Sequence, residues 1–151
     1  MIQNKDRFCL RAADRQTPGG KVEMAPCDAG DVSQQWAFED ATGVIKSVDG
    51  LCLDASQRSE DGGLVHSWTC YDDHANQQWE YNNSHFLVKN RDGICLDSPQ
   101  ADTNGGLVHM WGCMGGTANQ MWVFNEQAGT VQCQTVIAGS GKCYDAIAWA
   151  M

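Results

Sequence analysis

Between residues 44 and 82 the apolar side chains come in short runs, VIKSV, LCLDA, LVHSW and QQWEY, in which apolar and polar positions alternate or aromatics crowd together. Runs of this length and period suit strands, not helices. DG, EDGG, DDHAN and YNN separate them, and Gly, Asp and Asn are the residues that tight turns select. The same succession of runs and turns appears before and after this segment, and no stretch sustains a helical period. The pattern predicts an all-β chain with four strands per unit, about twelve in total, at the spacing of a barrel or sandwich.

Three independent markers share one period. Cys9, Cys52 and Cys95 are 43 residues apart, as are Cys27, Cys70 and Cys113, and Trp36, Trp79 and Trp122. The repeats are therefore residues 1–43, 44–86 and 87–129, with the second and third more alike than either is to the first. A propeller also uses four strands at this period but needs at least about four blades. Three copies predict one closed barrel with threefold pseudosymmetry. Residues 130–151 lie outside the copies, although GKCYDA echoes GLCLDA and GICLDS and reads as the opening hairpin of a partial fourth repeat. Three roles are open to this extension: plugging the barrel, self-association as a homodimer, or leading into a further domain.

The eight cysteines change the picture of the environment. Their spacing is not the paired Cys-x-x-Cys of a zinc site, so disulfides in an oxidising compartment are the better reading. The repetition assigns them as Cys9–Cys27, Cys52–Cys70 and Cys95–Cys113, one pair per copy, leaving Cys133 with Cys143. The N-terminus lacks the basic and apolar regions of a signal peptide. A mature secreted chain, or a module of a longer secreted protein, accommodates both facts. Asn82-Asn83-Ser84 is a glycosylation sequon, a weak signal because such tripeptides arise by chance.

Charge narrows the partners. The net charge of -9, without a Lys/Arg cluster, argues against nucleic acid and against an anionic membrane surface. No apolar run approaches the length of a membrane span, so direct membrane insertion is not expected. Histidines and acids show neither metal-ligand nor calcium-loop spacing, Gly139–Lys142 is too short for a phosphate loop, and no catalytic triad can be nominated. No metal, cofactor or catalytic residue is expected.

Comparing the copies separates scaffold from candidate site. Trp36, Trp79 and Trp122 occur in all three and read as core. Gln34, Gln77 and Gln120 also recur and read as at least partly structural. Other positions hold in two copies only. Asp54 and Asp97 correspond to Arg11, His66 and His109 to Glu23, Trp68 and Trp111 to Ala25, and Asn76 and Asn119 to Ser33. The aspartates could cap turns, yet Arg11 shows that the fold does not demand an acid there. A core tryptophan lost to alanine would cost about 3–5 kcal/mol, so Trp68 and Trp111 read as surface residues. His66 and His109 lie two residues before them, on the same face of a strand. Ordinary surface histidines would look the same.

Those residues suit a sugar. A flat amphipathic ring covers the C–H face of a pyranose. A carboxylate accepts from two adjacent hydroxyls, and a side-chain amide both donates and accepts. Asp54 and Asp97 fall in different copies and so far apart, which argues against a glycosidase acid pair.

The motif Gln-x-Trp closes every repeat, at Gln34–Trp36, Gln77–Trp79 and Gln120–Trp122, and Cys-Leu-Asp opens two, at Cys52–Asp54 and Cys95–Asp97. With the phased cysteines, this resembles the ricin B-type lectins over residues 1–129. The resemblance implies a β-trefoil, a non-catalytic carbohydrate-binding function and an extracellular location. It implies sugar sites at Asp54, His66, Trp68, Asn76 and Gln77, and at Asp97, His109, Trp111, Asn119 and Gln120, with no site in the first copy. The aspartate, tryptophan and asparagine set implies galactose- or N-acetylgalactosamine-terminated glycans and a multivalent agglutinin. A carbohydrate-binding module of a larger glycoside hydrolase or glycosyltransferase is the alternative, and a protein-binding trefoil is a third reading.

Overall fold

The structure, a computed structural model, describes residues 1–125. The expected Cys133–Cys143 pair and the partial fourth repeat at 130–151 lie outside the described residues.

Each copy forms the expected four strands. The first has β1 (Ile2–Asn4), β2 (Phe8–Ala12), β3 (Val22–Pro26) and β4 (Trp36–Glu39). The second has β5 (Val44–Ser47), β6 (Leu51–Ala55), β7 (Gly63–Thr69) and β8 (Trp79–Asn82). In the third, β9 (Leu87–Asn90) and β10 (Ile94–Asp97) precede a strand that breaks at Val108 into β11 (Gly106–Leu107) and β12 (His109–Gly112), and β13 (Trp122–Phe124) ends it. A 3-10 turn precedes the last strand of every copy, at Val32–Gln34, Ala75–Gln77 and Ala118–Gln120. All pairings are antiparallel. The last strand of one copy joins the first of the next (β4 with β5, β8 with β9, β13 with β1), while the middle strands pair as hairpins (β2 with β3, β6 with β7, β10 with β12). The architecture is a β-trefoil.

The core repeats with the sequence. Ile2, Ile45 and Val88 are fully buried, as are Leu10, Leu53 and Leu96, and Val22, Val65 and Val108 sit beside them. Burying each such side chain contributes about 1.5–3 kcal/mol. Trp36, Trp79 and Trp122 join this cluster, and each indole Nε1 donates at 3.0 Å to the carbonyl of Leu10, Leu53 or Leu96. A buried indole N–H needs such a partner, which explains why this tryptophan survives in every copy. The triad pattern breaks at Ser67, buried where the other copies place Met24 and Met110, and at Ser98, buried where they place Ala12 and Ala55.

The Gly-Gly pair of each copy locks the copies together. Gly19, Gly62 and Gly105 adopt φ of 85°, 80° and 79°, a region costly for other residues. Their N–H groups each donate at 2.7 Å to the next copy, at Ser67, Met110 and Met24. Beside them, a Cβ on Gly20, Gly63 or Gly106 would come within 2.5, 2.0 or 2.3 Å of a backbone carbonyl oxygen. The contacts run from first copy to second, second to third and third to first, so the barrel closes on itself. Cys9–Cys27, Cys52–Cys70 and Cys95–Cys113 form as expected, each tying β2, β6 or β10 to the segment after its hairpin. In the chain-entropy view a loop of this size contributes about 3 kcal/mol.

Candidate functional site

The hairpins carry the residues that differ between copies, and register sets them opposite one another. Asp54 pairs with His66 across β6 and β7, Asp97 with His109 across β10 and β12, and Arg11 with Glu23 across β2 and β3. Cross-strand neighbours in an antiparallel pair lie close enough to interact.

In the second copy the pair is bonded: His66 Nε2 donates to Asp54 Oδ1 at 3.2 Å. Two residues on, Trp68 projects from the same face, its ring stacked on His66 with centroids 5.3 Å apart and planes within 16°. The third copy repeats this. His109 Nε2 donates to Asp97 Oδ2 at 2.6 Å, and Trp111 stacks on His109 at 5.5 Å and 25°. Burial grades outward. The aspartates are buried, the histidines half-buried, and the tryptophans are each 37% exposed. Such a graded site offers a fixed acceptor at its base and a flat apolar wall at its mouth.

Gln77 and Gln120 lie deeper than the other expected site residues. Both are fully buried, with the amide spent on backbone. Gln77 Nε2 donates to Thr69 O at 2.8 Å and its Oε1 accepts from Tyr71 N, and Gln120 does the same with Gly112 O and Met114 N. Gln34 makes the equivalent bonds to Pro26 O and Asp28 N, so this bridge belongs to the scaffold. Gln77 makes one bond more, from the same Nε2 to Asp54 Oδ2 at 3.0 Å. It thus orients the carboxylate from behind. Asn76 and Asn119, the preceding residues in the 3-10 turns, are half-buried and closer to the surface.

The neighbouring copy borders each hairpin. A Cβ at Gly19 would lie 3.1 Å from the Trp68 ring, and Asp61 Oδ1 accepts from Gly112 N, next to Trp111. Lys21 bridges to His66, whereas the equivalent neighbour of His109 is Leu64. The two sites therefore share the aspartate–histidine–tryptophan set, differ at the rim, and differ at the base in that only Asp54 is also held by a glutamine.

The first copy inverts the chemistry. Arg11 and Glu23 form a short ion pair, and Lys21 Nζ reaches Glu23 Oε2 at 2.7 Å. Burial alone would raise the Glu23 carboxyl, but hydrogen bonds from Lys21 and Arg11 outweigh it and hold it below the ordinary carboxylate range. Ala25, where the others carry tryptophan, is buried. The site position is occupied by a charge cluster in which Glu23 is bonded on both sides, although Arg11 Nε is buried without a partner.

The sequence pattern does not single out Arg58. Its Nη1 donates to Asn76 Oδ1 at 3.0 Å and its Nε to Asp92 Oδ2 at 2.7 Å. A signal exists all the same: Arg15 and Asp49 stand at the same period and form the same pair. A separate cavity of about 350 Å³, lined by Glu39, Lys46, Tyr71, Asp72, His74 and Gln78 among others, includes none of the expected site residues.

Comparison with known proteins places this geometry. The model of the ricin-type β-trefoil lectin domain matches residues 1–104 and again 84–150. No curated protein matches the chain. Among solved structures, the agglutinin from Abrus precatorius is 24% identical with a TM-score of 0.67, over 81% of this chain and 44% of that one. The earthworm R-type lectin C-half in complex with GalNAc is 19% identical with a TM-score of 0.65, over 81% and 93%. GalNAc-T7 with UDP, GalNAc and Mn2+ is 20% identical with a TM-score of 0.69, over 83% of this chain but 22% of that one.

Proposed function

The chain belongs to the ricin-type β-trefoil lectin domains, a carbohydrate-binding, non-catalytic family, and from that premise we propose that it binds galactose- or N-acetylgalactosamine-terminated glycans at two sites. One is built on Asp54, His66, Trp68 and Asn76, the other on Asp97, His109, Trp111 and Asn119. The observation that carries this reading is the joint pattern in the second and third hairpins: a buried, bonded carboxylate beneath a half-exposed tryptophan. The carboxylate is a pure acceptor with about four lone-pair sites. Asp54 uses two of them on His66 and Gln77, which leaves acceptance for a pair of sugar hydroxyls. An acceptor gripping adjacent 3- and 4-hydroxyls senses whether O4 is axial, as in galactose. The indole covers the opposite C–H face. Gln77 holds Asp54 from behind, while the Gln120 amide bridges backbone in the third copy.

Single sugars should bind with dissociation constants of about millimolar to micromolar. Two sites on one rigid barrel then act through avidity on glycan-coated surfaces. Disulfide pairs in every copy favour an extracellular setting. A glycan array is the test. Selective retention of galactosides supports the reading, and retention of unrelated sugars or of none contradicts it.

The share of GalNAc-T7 that this chain covers favours one second reading, a binding module of a larger secreted enzyme. The site chemistry would be unchanged, and the length of the source transcript distinguishes the two.

A further inference from the structure

The two sites differ behind their asparagines. In the second copy, Asn90 Nδ2 donates to the Arg58 carbonyl and Asp92 takes its Nε, so the third copy grips both backbone and side chain of Arg58. The remaining end of the guanidinium fork donates from Nη1 to Asn76 Oδ1 at 3.0 Å. The third copy keeps only the backbone half of this arrangement. Ala101 stands where Arg58 would be, its carbonyl held by Asn4 Nδ2 at 2.7 Å. Asn119 is thus left without a guanidinium behind it, and its amide makes no hydrogen bond among the described residues. The first copy has Arg15, but its Nε and Nη2 both donate to Asp49 at 2.8 Å, and Ser33 replaces the asparagine.

We infer that Arg58 is a positioning residue that makes the second-copy site the tighter of the two, an inference that rests on the two-site lectin reading. An asparagine amide presents either its oxygen or its NH2 group. With Oδ1 committed to Arg58, Asn76 offers Nδ2 outward. Asn76 precedes Gln77, which holds Asp54, so in the second site both the asparagine and the carboxylate are fixed by hydrogen bonds. That pair matches a sugar hydroxyl pair in which one group accepts from the amide and the other donates to the carboxylate. Asn119 must instead choose its orientation when the ligand arrives, and ordering a side chain on binding weakens affinity by about two- to tenfold.

The test uses N-acetylgalactosamine and single-site variants of the full chain. Asp97→Ala leaves the second site and Asp54→Ala the third. The Asp97→Ala protein should bind about two- to tenfold tighter than the Asp54→Ala protein. Adding Arg58→Ala should remove that advantage in the Asp97→Ala background and do nothing in the Asp54→Ala background. Arg15→Ala breaks the same inter-copy ion pair in the copy without a site and should leave affinity unchanged. Arg58→Lys keeps the charge facing Asp92 but lacks the fork, so it should not restore binding. In a double-mutant cycle, Arg58→Ala should add nothing once Asn76 is alanine. Equal losses from Arg15→Ala and Arg58→Ala, full binding by Arg58→Lys, or no change at the second site would overturn the inference. Complete loss of binding in Asp97→Ala alone would overturn the site reading beneath it as well.

Discussion

The first copy and the two that follow it fold the same backbone around different chemistry. At one register position the later copies place an acid on the first strand of the hairpin and histidine opposite, while the first copy places Arg11 on that strand and Glu23 opposite. Every copy keeps a bonded pair, so pairing itself is what the hairpin requires. Polarity and the residue two positions on decide whether the face is open. His66 and His109 leave their aspartates spare acceptor capacity under an exposed indole. Glu23 is satisfied on both sides by Arg11 and Lys21, above a buried alanine. The later copies keep spare acceptor capacity where the first spends its acid on two cations.

The contrast between copies can be broken most severely at the carboxylates. Asp54→Ala with Asp97→Ala should reduce N-acetylgalactosamine binding below detection by calorimetry, with the fold retained by circular dichroism. Trp68→Ala sharpens the contrast. It should weaken the second site by about ten- to hundredfold, since it removes the apolar wall. Its cost in stability should stay under about 1 kcal/mol because the ring is already half in water. The mirror substitution, Ala25→Trp, should do the reverse, destabilising by about 1–3 kcal/mol through overpacking and creating no binding.

A smaller effect separates the copies by pH. The Glu23 carboxyl is held below its ordinary range in the folded protein. It therefore contributes stability that is present above the unfolded carboxylate range and is lost as pH falls through the folded value. Glu23→Gln should destabilise by about 1–3 kcal/mol at neutral pH, because Arg11 and Lys21 lose their ionised partner. The gap from the parent should narrow in acid. Denaturant midpoints measured from pH 7 down to pH 3 check this, and a gap that stays constant would contradict it.

Much of the fold was legible because the three copies constrain one another. A period shared by Cys9, Cys27 and Trp36 with their partners located the strands and paired the disulfides, and the tryptophans proved to be the core their recurrence implied. The split of the third copy's long strand at Val108 was not legible, since GGLVH reads identically in both later copies. The grouping of Asp54, His66 and Trp68 on one hairpin face was legible, but their depth was not. Sequence placed Trp68 at the surface and His66 on the same face, but it could not show that Gln77 is fully buried and bonded to Asp54. Depth depends on which strand packs over which turn, and residue type does not carry that. Arg58 escaped for a related reason. It resembles an ordinary exposed arginine until the fold brings Asn76 and Asp92, from two different copies, to its two ends.

The central claim is a count, and the stoichiometry of N-acetylgalactosamine binding to the full chain tests it most directly. Titration calorimetry should give two sugars per chain, falling to one in Asp54→Ala and one in Asp97→Ala. Three sugars per chain, or two that persist when either aspartate is removed, would contradict the assignment of an open site to the second and third copies alone.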